Sequence, residues 1–120
     1  MSTRGLRGLS LFANTGVAES LLSNVQMLVA NEIDQNRCKF YKHIYPDVEM
    51  ICGDIRNTTI CKSIIDQSKK NKVDFIMATP PCQGMSTIGK LHYMDIRNQL
   101  IYYAIKVIKK IKPKYILLEN

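Results

Sequence analysis

The chain has 120 residues, 46% hydrophobic and 22% charged, which fits one ordinary globular domain and excludes a disordered chain. Seventeen Lys and Arg against ten Asp and Glu give a formal charge of +7. That balance favours a polyanionic partner, nucleic acid before an anionic membrane surface, and a lysine-rich solvated surface gives the same count.

Residues 8–12 read as a first strand. It runs into a tight turn, Ala13-Asn14-Thr15-Gly16, and residues 17–22 read as the start of a helix. A strand, a small-residue turn and a helix N-terminus aim backbone N–H groups outward, where an anion or polar ligand can sit. With one glycine where dinucleotide sites carry three, the turn is a weak phosphate fingerprint. Residues 26–30 read as a second strand, ending in Asn31-Glu32-Ile33-Asp34. An acid at the end of the second strand of a βαβ unit is placed to accept hydrogen bonds from ribose hydroxyls. Glu32, sixteen residues past Gly16, has that place. Asp34 precedes a helix over 35–43 and suits its N-cap, so the two acids can divide the two tasks.

Pro46 closes that connection, and residues 48–52 read as a third strand. Gly53-Asp54-Ile55 follows, which puts Asp54 at a strand's carboxyl end. Thr58 or Thr59 is the expected cap of a helix over 60–68, and Lys69-Lys70-Asn71-Lys72 a basic break. Residues 73–78 read as a fourth strand, whose apolar run Phe75-Ile76-Met77-Ala78 is too short for a helix. It leads into Thr79-Pro80-Pro81-Cys82-Gln83-Gly84-Met85-Ser86. Two prolines end the strand, Gly84 lets the chain turn away, and Cys82 sits where the chain leaves the sheet. Alone, such a cysteine is more often a small buried apolar residue than a nucleophile.

The longest helix is expected over 95–111, with Ile96, Leu100, Ala104, Ile108 and Ile111 in an apolar stripe widened by Ile101 and Ile105. Lys106, Lys109, Lys110 and Lys112 gather at its end, where they suit the helix dipole. Pro113 stops it, residues 115–118 read as a fifth strand, and Glu119-Asn120 follow. Strands alternate with helices throughout, so the class is α/β with a parallel sheet and right-handed crossovers. Cys38, Cys52, Cys61 and Cys82 make no CxxC pair and have no histidine at metal-ligand spacing, so neither zinc nor a disulfide is expected. His43 and His92 each stand alone and read as surface residues. No run reaches the length of a membrane span, and residues 1–7 lack the apolar core of a signal peptide, so the chain reads as cytoplasmic.

Taken together, the strand ends resemble the cytosine-5 methyltransferases that use S-adenosylmethionine. Ser10-Leu11-Phe12-Ala13-Asn14-Thr15-Gly16 is similar to the family's first motif, where a phenylalanine and glycines surround the cofactor. Asn14 stands where the family has glycine, and Asn is the non-glycine residue that best tolerates a left-handed turn. Asn31-Glu32-Ile33-Asp34 resembles the second motif, whose glutamate holds the ribose, and Gly53-Asp54-Ile55 the third, whose aspartate meets the adenine amino group. Pro80-Pro81-Cys82-Gln83-Gly84-Met85-Ser86 is similar to the catalytic motif PPCQGFS, with Met85 for the phenylalanine. Asp95-Ile96-Arg97-Asn98-Gln99-Leu100 resembles the DxRxxL motif, whose leucine lines the cofactor pocket, and Leu118-Glu119-Asn120 the start of the ENV motif. Six motifs in order make a strong signal where each alone is weak or moderate.

The resemblance implies a Rossmann-like, S-adenosylmethionine-dependent methyltransferase fold, with a mostly parallel sheet and flanking helices. It implies a cofactor site of Phe12, Ala13, Asn14, Thr15, Gly16, Glu32, Ile33, Asp54, Ile55, Pro80 and Leu100. Cys82 would be the nucleophile, adding its thiolate to carbon 6 of cytosine so that carbon 5 becomes enamine-like. Glu119 would contact ring nitrogen 3 and the exocyclic amine, Pro81 would fix the cysteine loop, and Asn120 would orient its neighbours. Double-stranded DNA is the implied substrate, with the target base flipped out of the helix.

The same resemblance leads to an expectation of a partial catalytic domain over 1–120, incomplete on its C-terminal side and lacking target recognition. A second chain would then complete the sheet and read the DNA, and this chain alone would be inactive. A truncated gene product or an expressed fragment is the competing explanation. A transfer-RNA cytosine-5 methyltransferase and a non-catalytic cofactor-binding or regulatory subunit are the alternative functions. No membrane and no metal are expected.

Overall fold

The computed structural model describes residues 5–81 and 96–119. β1 (Leu6–Leu11), β2 (Val25–Glu32), β3 (Glu49–Cys52), β4 (Phe75–Ala78) and β5 (Tyr115–Leu118) form one sheet in the order β3-β2-β1-β4-β5, and every neighbouring pair is parallel. The chain builds outward from β1 through β2 to β3, returns to the other side of β1 as β4, and moves out again to β5. The reversal lies between β1 and β4. In a doubly wound sheet that switch point opens a crevice at the carboxyl ends of the strands.

Successive strand residues face opposite sides of a sheet, and β2 shows both. Val29 joins Leu9, Leu11, Ile51, Ile64, Ile76 and Val107 in the larger core, under α2 (Thr58–Lys70) and α3 (Ile96–Ile111). Ala30 joins Tyr41, Val48 and Ala13 in the smaller core, under α1 (Gln35–Ile44). All four residues of β4 are buried, as a strand covered by helices on both faces requires.

The local chemistry departs from expectation in four places. Residues 17–22 do not open a helix: Ala18–Leu21 make one 3-10 turn. Leu22 is already extended, and Asn24, with φ of +62°, hands its carbonyl to the Leu6 N–H 2.9 Å away, so the chain must start β2 at Val25. The cap of α2 is Asn57 rather than Thr58 or Thr59, with Asn57 Oδ1 accepting from the N–H groups of Thr59 (2.9 Å) and Ile60 (3.1 Å). Lys69 and Lys70 belong to the last turn of α2, so the basic break shortens to Asn71 and Lys72, which has φ of +55°. On α3, Ala104 and Val107 are the buried pair, with Leu100, Tyr103, Ile108 and Ile111 packed beside them, whereas Ile105 is 43% exposed. The stripe is turned toward Val107 because α3 must meet α2 as well as the sheet.

Candidate functional site

Residues from four strand ends and two helices converge on a cavity of about 370 Å³. Phe12 and Asn14 follow β1, Asn31 and Glu32 end β2, Gly53 to Arg56 follow β3, Thr79 and Pro81 follow β4, α1 contributes Arg37 and α3 contributes Leu100. A volume of this size suits a small organic ligand.

Glu32 is a tightly constrained polar group in the wall. It is 5% exposed, Oε1 accepts from the Asn14 N–H at 2.9 Å, and Oε2 accepts from the Asp34 N–H at 2.8 Å. Two backbone donors fix the carboxylate, and each oxygen keeps acceptor capacity for a ligand. Asp34 does the other task open to this pair of acids: its side chain accepts from the Arg37 N–H at 3.0 Å and caps α1. Asn31 bolts β2 to β3 through Nδ2, which donates to the carbonyls of Ile51 (2.7 Å) and Gly53 (3.0 Å).

Asp54, which lines the same cavity, is held by Arg56 through two side-chain donors and the Arg56 backbone N–H. The guanidinium fork keeps the Asp54 carboxyl below its ordinary range, against the upward push of partial burial. Phe12, Ile33, Ile55 and Leu100 supply the apolar part of the wall. Ile33 is well exposed there although large and apolar. Thr79 fastens the β4 end to the β1 end, its Oγ1 donating to the Phe12 carbonyl at 3.1 Å.

Of the residues proposed from the motifs, the cavity gathers Phe12, Asn14, Glu32, Ile33, Asp54, Ile55, Leu100 and Pro81. Ala13, Thr15, Gly16 and Pro80 do not line it. Ala13 is buried in the smaller core, and Pro80 is buried whereas Pro81 is exposed. Gly16 has φ of +83°, and a Cβ there would run into the rings of Tyr41 and Tyr45, while its carbonyl accepts from the Tyr45 hydroxyl at 2.7 Å. Ala13 and Gly16 thus shape the loop after β1 from behind. Glu119 lies exposed one strand away, its N–H donating to the Ala78 carbonyl at 3.0 Å. Cys82 and Asn120 lie outside the described residues.

Asn31, Arg37, Gly53, Arg56 and Thr79 also line the cavity, and the sequence reading gave them no role. The signal for Arg56 was its place two residues past Asp54, within reach of that carboxylate. Cys38 is no nucleophile candidate: it is buried, its thiol donates to the Glu32 carbonyl at 3.2 Å, and burial first, then the neighbouring Cys52, pushes its pKa up to about 12. Among the described residues no group of three His, Cys, Asp or Glu is placed to hold a metal ion, and no helix is long and apolar enough to cross a membrane.

A five-stranded parallel sheet in this order, with an acid-lined cavity at its switch point, defines a Rossmann-like domain with a ligand site at the strands' carboxyl ends. The chain belongs to the C-5 cytosine-specific DNA methylase family, whose model matches residues 6–120. It is 45% identical to the type II methyltransferase M1.HgaI of Avibacterium volantium over 98% of this chain and 35% of that protein. It is 30% identical to M.XorII of Xanthomonas oryzae over 94% of this chain and 27% of that protein. Its fold matches a prophage-encoded E. coli protein described as a DNA modification methyltransferase, with a TM-score of 0.71 and 25% identity over 95% of this chain and 31% of that one. It also matches a DNMT2 variant from Spodoptera frugiperda, with a TM-score of 0.63 and 27% identity over 95% and 35% of the two chains. The fold is thus that of the Rossmann-like methyltransferases, and the chain spans about a third of the relatives it matches.

Proposed function

We propose that this chain is the cofactor-binding and nucleophile-bearing part of a DNA cytosine-5 methyltransferase that uses S-adenosyl-L-methionine. The observation that carries the reading is the Glu32 carboxylate, buried, fixed by two backbone donors and facing the same cavity as Asp54. A ribose diol needs two neighbouring acceptors, which the two oxygens of Glu32 supply. An adenine needs apolar wall and an acceptor for its amino group, which Ile33, Ile55 and Leu100 supply together with Asp54. The residues present therefore fit the cofactor. Phe12 and Asn14 close the side nearest β1, and Ala13, Thr15, Gly16 and Pro80 act through the loops they shape. Bound there, S-adenosylmethionine supplies an electrophilic methyl group.

Pro81, on the cavity wall, is the residue before Cys82. In this reading the Cys82 thiolate adds to carbon 6 of a flipped cytosine, and the electron pair displaced makes carbon 5 nucleophilic. Glu119 holds ring nitrogen 3 and the exocyclic amine, Asn120 orients it, and Pro81 fixes the approach of the thiolate. After carbon 5 is methylated, a base takes its proton and Cys82 leaves. Further protein, in the same polypeptide or in a second chain, completes the sheet beside β5 and carries target recognition. In support, Ile116 is 51% and Leu118 53% exposed on an edge strand, where proteins normally cover apolar surface.

The test is tritiated methyl transfer by the chain purified natively with whatever accompanies it. Label should appear in DNA cytosine and vanish in Cys82→Ser, while cofactor binding by that variant persists. Label confined to RNA, label in no nucleic acid, or undiminished label in Cys82→Ser would overturn the reading.

A further inference from the structure

Asp54 does not face the cavity alone, and the way it is held leaves a countable remainder. A carboxylate offers about four acceptor sites, two on each oxygen. Oδ1 accepts from the Arg56 backbone N–H at 2.9 Å and from Nε at 3.0 Å, which fills it. Oδ2 accepts from Nη2 at 2.6 Å and takes only a long branch, 3.2 Å, of the shared Nε–H. One acceptor site is therefore left, on Oδ2. Both side chains line the cavity.

The surroundings hold Arg56 to this task. Arg56 also borders the groove between α2 and α3, where Lys62, Lys106 and Lys110 stand. Like charges on that side favour the swing toward Asp54. The Arg56–Asp54 pair is the one salt bridge among the described residues. The backbone on either side is fixed too: Gly53 has φ of +151° with Ile60 where a Cβ would go, and Ile55 is buried in the larger core. What remains free in Asp54 is the rotation of its side chain, and the Arg56 fork removes that.

We propose that Arg56 is a positioning residue for the nucleobase end of the cavity, holding Asp54 so that a single acceptor site is offered to one ligand N–H. The inference rests on the cofactor reading above and adds a specificity. A 6-aminopurine presents a donor to that site. A 6-oxopurine presents an oxygen to a fixed carboxylate and is rejected. An ordinary exposed ion pair, by contrast, contributes little and reads no ligand.

The experiment measures equilibrium binding of S-adenosyl-L-homocysteine, and of its counterpart with hypoxanthine in place of adenine, to the full chain. Wild type, Arg56→Lys and Arg56→Ala are compared, with the thermal midpoint of each reporting the fold. Arg56→Ala should bind the adenine ligand about tenfold more weakly and lose most of its preference over hypoxanthine. Arg56→Lys keeps the charge without the fork and should fall between. A purely structural role would weaken both ligands alike and leave their ratio unchanged, which would overturn the proposal. If Arg56→Ala fails to fold, the Arg56→Lys ratio decides: a wild-type ratio overturns the proposal and a reduced one supports it. Failure of wild type to bind the adenine ligand at all would instead overturn the cofactor reading, and the role of Arg56 would fall with it.

Discussion

Glu19 buries a carboxyl behind the loop that carries Asn14. Its Oε1 accepts from the Ser10 hydroxyl at 2.8 Å, while Oε2 and the nearby Tyr41 hydroxyl are buried without partners. Desolvation dominates and raises the Glu19 pKa; Ser10 and Tyr41 pull it down by less. The Tyr41 hydroxyl misses hydrogen-bond geometry with Glu19, so both atoms stay orphaned. A carboxyl whose folded pKa exceeds its ordinary 4.5 contributes stability that is full below that value. The contribution is lost as pH rises through the folded pKa. Glu19→Gln has no such dependence, so urea unfolding should show wild type losing ground to the variant as pH rises above 4.5. Asp54, shifted the other way, titrates in both proteins and cancels in the difference. Parallel curves would contradict the account. At this scale the sequence showed Glu32 and Asp54, because an acid just past a strand has a known place in an α/β sheet. It could not show the Ser10–Glu19 contact, which joins β1 to a 3-10 turn across nine residues without periodicity.

At the scale of elements, the strands were legible from their apolar runs and the helix ends were not. Asn57, Thr58 and Thr59 are all capping residue types, and the sequence does not say which takes extended backbone. Asn57 does, with φ of −72° and ψ of 128°, and the helix starts at Thr58. Asn57→Ala should cost about 1 kcal/mol of stability in urea unfolding. Thr58→Ala should stay within about 0.5 kcal/mol. Equal losses would contradict the cap. On α3 the helical period admits either Ile105 or Val107 into the buried stripe. Only the packing of α3 on α2 selects Val107, and that is a tertiary fact. The expected helix over 17–22 failed for a similar reason: the Asn24 carbonyl pairs with Leu6, and the turn closes before a helix can extend.

At the scale of the whole molecule, alternation of strand and helix was enough for the α/β class, while the order β3-β2-β1-β4-β5 needed the structure. That order places the β1 and β4 loops side by side and so brings Phe12, Thr79 and Pro81 to one cavity. The charge of +7 suits a nucleic-acid partner, and the exposed apolar face of β5 suits further protein beside it. Both bear on what this chain assembles with, and neither is needed for the cavity to bind its ligand. The cavity is the centre of the account, and equilibrium binding of tritiated S-adenosylmethionine to the chain and to Glu32→Gln tests it most directly. The amide would set a donor against the N–H of Asn14 or Asp34, leaving one acceptor where the ribose needs two. Wild type should take up one equivalent, and Glu32→Gln, with an unchanged circular dichroism spectrum, should bind at least about tenfold more weakly. No uptake by wild type, or equal uptake by the two, would contradict it.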